Sequence, residues 1–242
     1  MTPFQWENCI ADVYAGKHSI TIEAYLRDVI LPALEVLNRR IDELGRSDEP
    51  FAPFVKADTE AVLQETQMAF ALSVQSIWER QLRAYLIGCA RDLRPGEGIE
   101  DNVKKSDWKK LKKLFYRLRG IKFESFPSFQ LLDKLHHLGN ACRHGDGKSA
   151  IELSQRFPDL WRTVPSLPPG FGMLSSGPPA VNTMDVTIKH MREFVHAVSE
   201  FWKDTTYIYH ESIEPKDPSL EARLVRERVD RSWLPQIPIR SN

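Results

Sequence analysis

Residues 135–150 read LHHLGNACRHGDGKSA, and their spacing decides how the chain is assigned. Leu135 and Leu138, with Leu132 before them, recur at helical spacing and face a core. His137, Asn140 and His144 stand at i, i+3 and i+7, so a second face of the same helix is polar and carries two imidazoles. Gly145 follows at once and is the expected C′ residue, the position that needs a left-handed backbone. A helix with one apolar and one histidine-bearing face thus ends in a Gly-Asp-Gly turn.

The same period extends outward. SITIEAYLRDVILPALEVLNRRIDEL (19–44) places Ile22, Tyr25, Ile30, Leu34 and Leu37 near one face, with Pro32 as a kink site. RSDEPFAPF (46–54) reads as a loop. A long helix is expected from about Asp58 to Asp92 with Val62, Phe70, Leu72, Ile77, Leu82, Tyr85 and Leu86 inward, ended by LRPGEG. A basic helix is expected over 104–122, with Ser106 or Asp107 as N-cap, Trp108, Leu111, Phe115 and Leu118 as its apolar stripe, and Gly120 as its stop. Pro127 and Ser128 open the next helix, which Gly145 closes. SAIELSQRFPDLW is a short helix, 164–182 a Pro/Gly/Ser-rich loop, and 185–207 a helix with Val186, His190, Phe194, Ala197, Val198 and Phe201 inward. The tail carries a charged short helix and then prolines. Strand signals are weak, and the expected class is all-α: a helical bundle with a long Pro/Gly-rich loop and an extended C-terminal tail. The expected division is an N-terminal helical segment (1–55), a helical core (56–210) and the tail (211–242).

Composition narrows the function little. The 242 residues carry 33 Lys plus Arg and 33 Asp plus Glu, so net charge names no partner and only local clustering can. Cys9, Cys89 and Cys142 are scattered and odd in number, with no CxxC pair, which argues against a disulfide framework or a zinc knuckle and fits a reducing cytoplasm. The N-terminus shows no basic region followed by an apolar run, so no signal peptide is expected, and no apolar stretch is long enough to span a membrane.

Two clusters carry chemistry. The first is the polar face of residues 137–144. Imidazoles titrate near neutral pH and suit general acid–base work, and a helix C-terminus favours a protonated His144. Arg143 and Lys148 stand beside it as phosphate-holding groups. A solvated helix end is the plain alternative. A metal site is the other, but no HExxH or paired carboxylate accompanies the histidines, so no metal ligands are assigned. The second cluster is the basic stretch, where nine Lys or Arg fall within 104–122 around Trp108, Phe115 and Tyr116. Such clustered charge is what a phosphate backbone needs, and Lys109, Lys110, Lys112, Lys113 and Arg117 are the candidate nucleic-acid contacts. Glu79, within WERQLR, either pairs with Arg83 at i+4 or orients His144 across a helix pair.

The segments MAFALSVQSIWERQLRAYL and LLDKLHHLGNACRHGDG together resemble the HEPN superfamily over roughly residues 60–205. The resemblance implies an all-helical, usually dimeric protein, and for many members a metal-independent ribonuclease, without cofactor, of toxin–antitoxin, abortive-infection or CRISPR-linked systems. The family motif is Arg, a short spacer and His, often with Asn directly after the Arg. Asn140 and His144 match the Asn-x-x-x-His part, whereas Gly139 occupies the place of the Arg. The resemblance therefore implies His144 as general base, Asn140 as orienting group, and His137, Arg143 and Glu79 as supporting site residues. Arg143, His137, Arg80 or Arg83 are left to neutralise a phosphate. The partners implied are RNA, a second copy of the chain and a protein such as an antitoxin. Without the Arg, a non-catalytic helical module that binds a protein partner is the alternative.

Overall fold

The computed structural model describes residues 6–161 and 180–231. The expected Pro/Gly-rich loop lies almost wholly, and the Pro-rich end of the tail wholly, outside them. Every extended regular element among the described residues is a helix, and the one strand-like feature is an isolated antiparallel bridge between Trp161 and Met184. The all-α class is observed.

Helix α1 is Ile10–Tyr25. Its start is fixed by Asp12, whose Oδ2 accepts from the Cys9 backbone N at 3.0 Å, and by Asp92, which accepts from Ile10 N at 2.8 Å. A π turn, Leu26–Ile30, leads into α2, Leu31–Gly45, with Pro32 near its start. The missing N–H of Pro32 is thus accommodated by a change of helical register. Helix α3 is Ala52–Leu93 and begins six residues before the expected Asp58. Pro53 stands in its first turn, where a backbone N–H has no intrahelical acceptor anyway.

The basic stretch holds two helices, α4 (Ile99–Lys105) and α5 (Trp108–Arg119), so Lys104 and Lys105 close the first rather than open the second. Ser106 is extended. Asp107 is the N-cap of α5 and accepts from Lys110 N at 2.8 Å, and Gly120, at φ 72°, ends it. Helix α6 is Phe129–His144, with Gly145 left-handed behind it as expected. Short α7, Lys148–Arg156, precedes a 3₁₀ turn at Pro158–Leu160; α8 is Ile188–Ser212 and α9 is Pro218–Asp230.

The chain packs as two compact units, each assembled from separated segments. The first takes the described parts of Met1–Glu23, Ile77–Leu132 and His196–Asn242. Its core is aromatic: Trp78 meets Phe201 edge-on at 4.9 Å, Phe123 stacks on Phe201 at 4.9 Å, and Phe115 meets Phe123 at 5.1 Å. Such pairs add about 0.5–1.5 kcal/mol each beyond the area they bury. Beside it lies a buried polar knot, where Arg119 Nη2 donates to both Asp12 oxygens at 3.0 Å and Tyr85 donates to Asp12 Oδ1 at 2.8 Å. Helix α9 belongs to this unit, with Leu224 fully buried and Arg228 paired to Glu211.

The second unit is Ala24–Ser76 with the described parts of Asp133–Val195. Ile30, Leu34, Ala71, Val74, Leu135, Leu138, Ala141 and Leu153 are among its buried residues. Val62, expected inward, is 53% exposed: it lies on the outer face of the α3 segment that starts earlier than the sequence suggests.

Candidate functional site

The α6 face belongs to the second unit, and α6 presents His137, Asn140 and His144 along one side as the spacing requires. The structure does not join them. Arg156 donates through Nη1 to His137 Nε2 at 2.5 Å, and Arg156 Nη2 is also paired with Asp133. Asp133 Oδ2 and Glu152 Oε1 stand 3.8 and 3.9 Å from the same imidazole nitrogen. A guanidinium can only donate, so His137 Nε2 is the acceptor and its ring proton sits on Nδ1. His137 is thereby part of an ionic network, covered on the Asp133 side and exposed at Arg156 and Glu152, and its Nε2 is already engaged.

Asn140 is one turn from its expected task. Its Nδ2 donates to His136 Nε2 at 3.0 Å, and among the described residues no hydrogen bond joins it to His144. His144 is exposed at the helix end with no partner among the described residues. Arg143, also exposed, donates to Gln75 Oε1 at 3.3 Å. Cys142 lines a cleft of about 410 Å³ with Glu65, Met68, Leu72 and Asp146, and burial pushes its thiol up to about 12, which makes it a poor nucleophile.

Gly139 explains the altered motif physically. A Cβ at this position would lie 2.6 Å from Gln75 Cγ and 2.9 Å from Gln75 Cβ, and Gln75 is fully buried. At position 139, therefore, α6 passes close against Gln75 of α3. No side chain fits there.

Glu79, in the first unit, takes the cheaper of its two expected roles: its Oε1 accepts from Arg83 Nη2 at 2.6 Å and Nε at 2.9 Å. Arg83 in turn donates to the carbonyls of Val103, in the last turn of α4, and of Ser106 just beyond it. It is a structural cap and is not free to hold a phosphate.

The basic stretch, also in the first unit, is partly neutralised. Lys104 pairs with Asp101, Lys112 with Glu124, Arg117 with Glu97, and Arg119 with Asp12, the last fully buried. Of the candidate contacts, Lys112 and Arg117 are thus engaged by carboxylates. Lys112 also lies over the Phe129 ring, 4.9 Å from its centroid. Lys109, Lys110 and Lys113, joined by Lys105 and Lys122, are exposed and form no ion pair among the described residues. Tyr116, on the same helix as Lys109, Lys110 and Lys113, is 43% exposed. It lies one residue beyond the stripe residue Phe115, about 100° round the helix and so outside the stripe.

The described helices include none long and apolar enough to cross a membrane, and no three His, Cys, Asp or Glu side chains among the described residues converge as a metal ion would require. Compared with family models, with curated proteins and with solved structures, the chain matches none.

Proposed function

We propose that this is an HEPN-like RNA-binding protein that holds the phosphates of single-stranded RNA on the exposed face of α5. The observation that carries the reading is that Lys109, Lys110 and Lys113 on α5, with Lys105 and Lys122 flanking that helix in the sequence, are exposed and form no ion pair among the described residues, while α5 also exposes the ring of Tyr116. Unpaired cations release condensed counterions when they meet phosphates, and an accessible aromatic ring stacks on an unpaired base. Cleavage is the weaker half of the expectation. The imidazole that would act as base, His144, has no orienting group among the described residues, and the place matching the family's Arg is closed by Gln75.

Fluorescence anisotropy with a labelled single-stranded RNA tests this. Five phosphate contacts give a slope of log affinity on log salt of about −3.5, roughly a hundredfold loss between about 50 and 200 mM. Lys109→Glu with Lys110→Glu and Lys113→Glu is expected to abolish binding while the helical circular dichroism is retained. Binding that ignores both salt and these substitutions overturns the reading.

A second reading, contact with a protein or a second copy, is favoured by the outer face of α1. Ile10, Val13, Tyr14 and Ile20 are each more than half exposed there and follow helical spacing. Light scattering on the wild type and on Tyr14→Asp with Ile20→Asp separates it: a mass that falls in the variant supports this face as an interface, and an unchanged mass removes it.

A further inference from the structure

We propose that Cys9 and Cys89 are a peroxide-sensitive thiol pair that closes to a disulfide, tying the segment before α1 to helix α3. The two sulfurs lie 3.5 Å apart although the residues are separated by 80 positions in the chain. The sulfurs are thus already in van der Waals contact in the folded chain. The pair also sits against the buried Asp12–Arg119 ion pair of the first unit: Arg119 Nη1 is 3.6 Å from Cys9 Sγ and 3.7 Å from Cys89 Sγ, and Asp12 Oδ2 is 3.4 Å from Cys9 Sγ. Arg119 is held there by Asp12, by the Glu7 carbonyl at 3.0 Å and by the Trp6 ring, 3.6 Å from the guanidinium carbon. Its Nε has no hydrogen-bond partner among the described residues.

The two thiols are not equivalent. The contact with Cys89 first, and then the Arg119 charge, hold the Cys9 thiol below its ordinary value, against the opposing effects of burial and Asp12. Burial drives the Cys89 thiol strongly upward. Cys9 also retains a little exposure, at 9%, whereas Cys89 has none. The remaining titratable neighbours of the pair are Asp12, which accepts from the Cys9 thiol, and Tyr85, whose hydroxyl is committed to Asp12.

Cys9 is therefore the thiol oxidised first and Cys89 the resolving one. The Cys9 thiolate attacks one oxygen of a hydroperoxide. The O–O bond breaks, hydroxide leaves and takes up a proton, and a sulfenic acid remains. The Cys89 sulfur, losing its proton, attacks the Cys9 sulfur; the S–O bond breaks and the departing hydroxide takes that proton to become water. Two thiols and one hydrogen peroxide give one disulfide and two waters.

The test uses the full, reduced chain exposed to hydrogen peroxide near neutral pH, alkylated, digested without reductant and mapped by mass spectrometry. The expected result is a single cross-linked peptide pair, Cys9 to Cys89, reversed by dithiothreitol, with Cys142 still alkylated. Cys9 is expected to oxidise more than about tenfold faster than Cys142. In Cys89→Ser a dimedone adduct is expected at Cys9, and in Cys9→Ser none at Cys89. The wild-type map stands whether or not the variants fold. A folded protein in which Cys9 and Cys89 both remain alkylatable, or in which Cys142 enters the cross-link, overturns the proposal.

Discussion

Gly139 and Gln75 are in direct contact: a methyl group on Gly139 would stand 2.6 Å from the Gln75 Cγ, within a fully buried contact between α6 and α3. Two opposing effects meet at this position. Replacing a mid-helix glycine by alanine gains about 1 kcal/mol of helix propensity, whereas overpacking a closed contact costs about 1–3 kcal/mol. The clashing atoms are the base of the glutamine side chain, not its free end, so overpacking is expected to win. Gly139→Ala should lower the chemical-denaturation midpoint. Gly139→Arg, a far larger intrusion at the same contact, should unfold the protein. A folded Gly139→Arg variant would show that α6 can move away from α3.

Asp12 and Arg119 form an ion pair with no exposed side-chain surface, and Asp12 also serves Tyr85 and the Cys9 backbone. Removing one partner leaves a buried charge uncompensated. Asp12→Asn is expected to cost roughly 3–5 kcal/mol, measured by urea unfolding, and Asp12→Leu with Arg119→Met to recover part of that loss. A cost under about 1 kcal/mol, the scale of a surface pair, would mean that water reaches the knot.

His210 is the chain's clearest pH reporter. Burial, and then the Arg223 guanidinium, which lies 2.6 and 3.0 Å from its two ring nitrogens, push the imidazole down to about 4 from its ordinary 6.5. Its neutral form is the one the fold favours. The stability it contributes is therefore present above about pH 6.5 and is lost as pH falls toward 4. Asp204 opposes it: burial raises its carboxyl to about 6, so the stability from its retained proton is lost as pH rises from 3.8 through 6. Titration of the His210 ring by NMR should give a midpoint near 4 that rises in Arg223→Ala. His210→Gln should flatten the acid side of the melting-temperature profile, and Asp204→Asn should remove the opposing slope.

The two histidines of the α6 face are expected to differ sharply in stability. His144 is exposed and without a partner among the described residues, so His144→Ala should change stability by less than about 0.5 kcal/mol. His137, itself 14% exposed and set among Asp133, Glu152 and Arg156, should lose several times more, because its removal opens a gap beside the covered Asp133 carboxylate. Equal thermal shifts for the two variants would contradict the network.

What the sequence discloses follows from how local each feature is. Gly120, Gly145 and Asp107 act on their own helix ends, and their roles are readable from position alone. The all-α class follows from a 3.6-residue period sustained along the chain. The early start of α3 is hidden because Pro53, ordinarily a breaker, is harmless in a first turn. The histidine face is readable as a face, but not its partners: Arg156 lies 19 residues beyond His137, and Gln75 lies 68 positions from Arg143. The buried knot is least accessible, since Asp12 and Arg119 are 107 residues apart and each reads as an ordinary surface charge. Within the basic stretch, the sequence shows the cations but not which carboxylates from elsewhere neutralise Lys112 and Arg117.

The uneven placement of the tryptophans determines what light can see of this molecule. Trp6, Trp78, Trp108 and Trp202 lie in the first unit, with Trp78 and Trp202 essentially solvent-free and 5.6 Å apart, while the described part of the second unit holds only Trp161. Indole emission is therefore weighted toward the surroundings of Trp78 and Trp202, whereas the far-ultraviolet helical signal samples both units. Emission and ellipticity recorded on one heated sample act as two unequal rulers. Superimposed curves mean that the two units come apart in a single step, and separated curves reveal which one yields first.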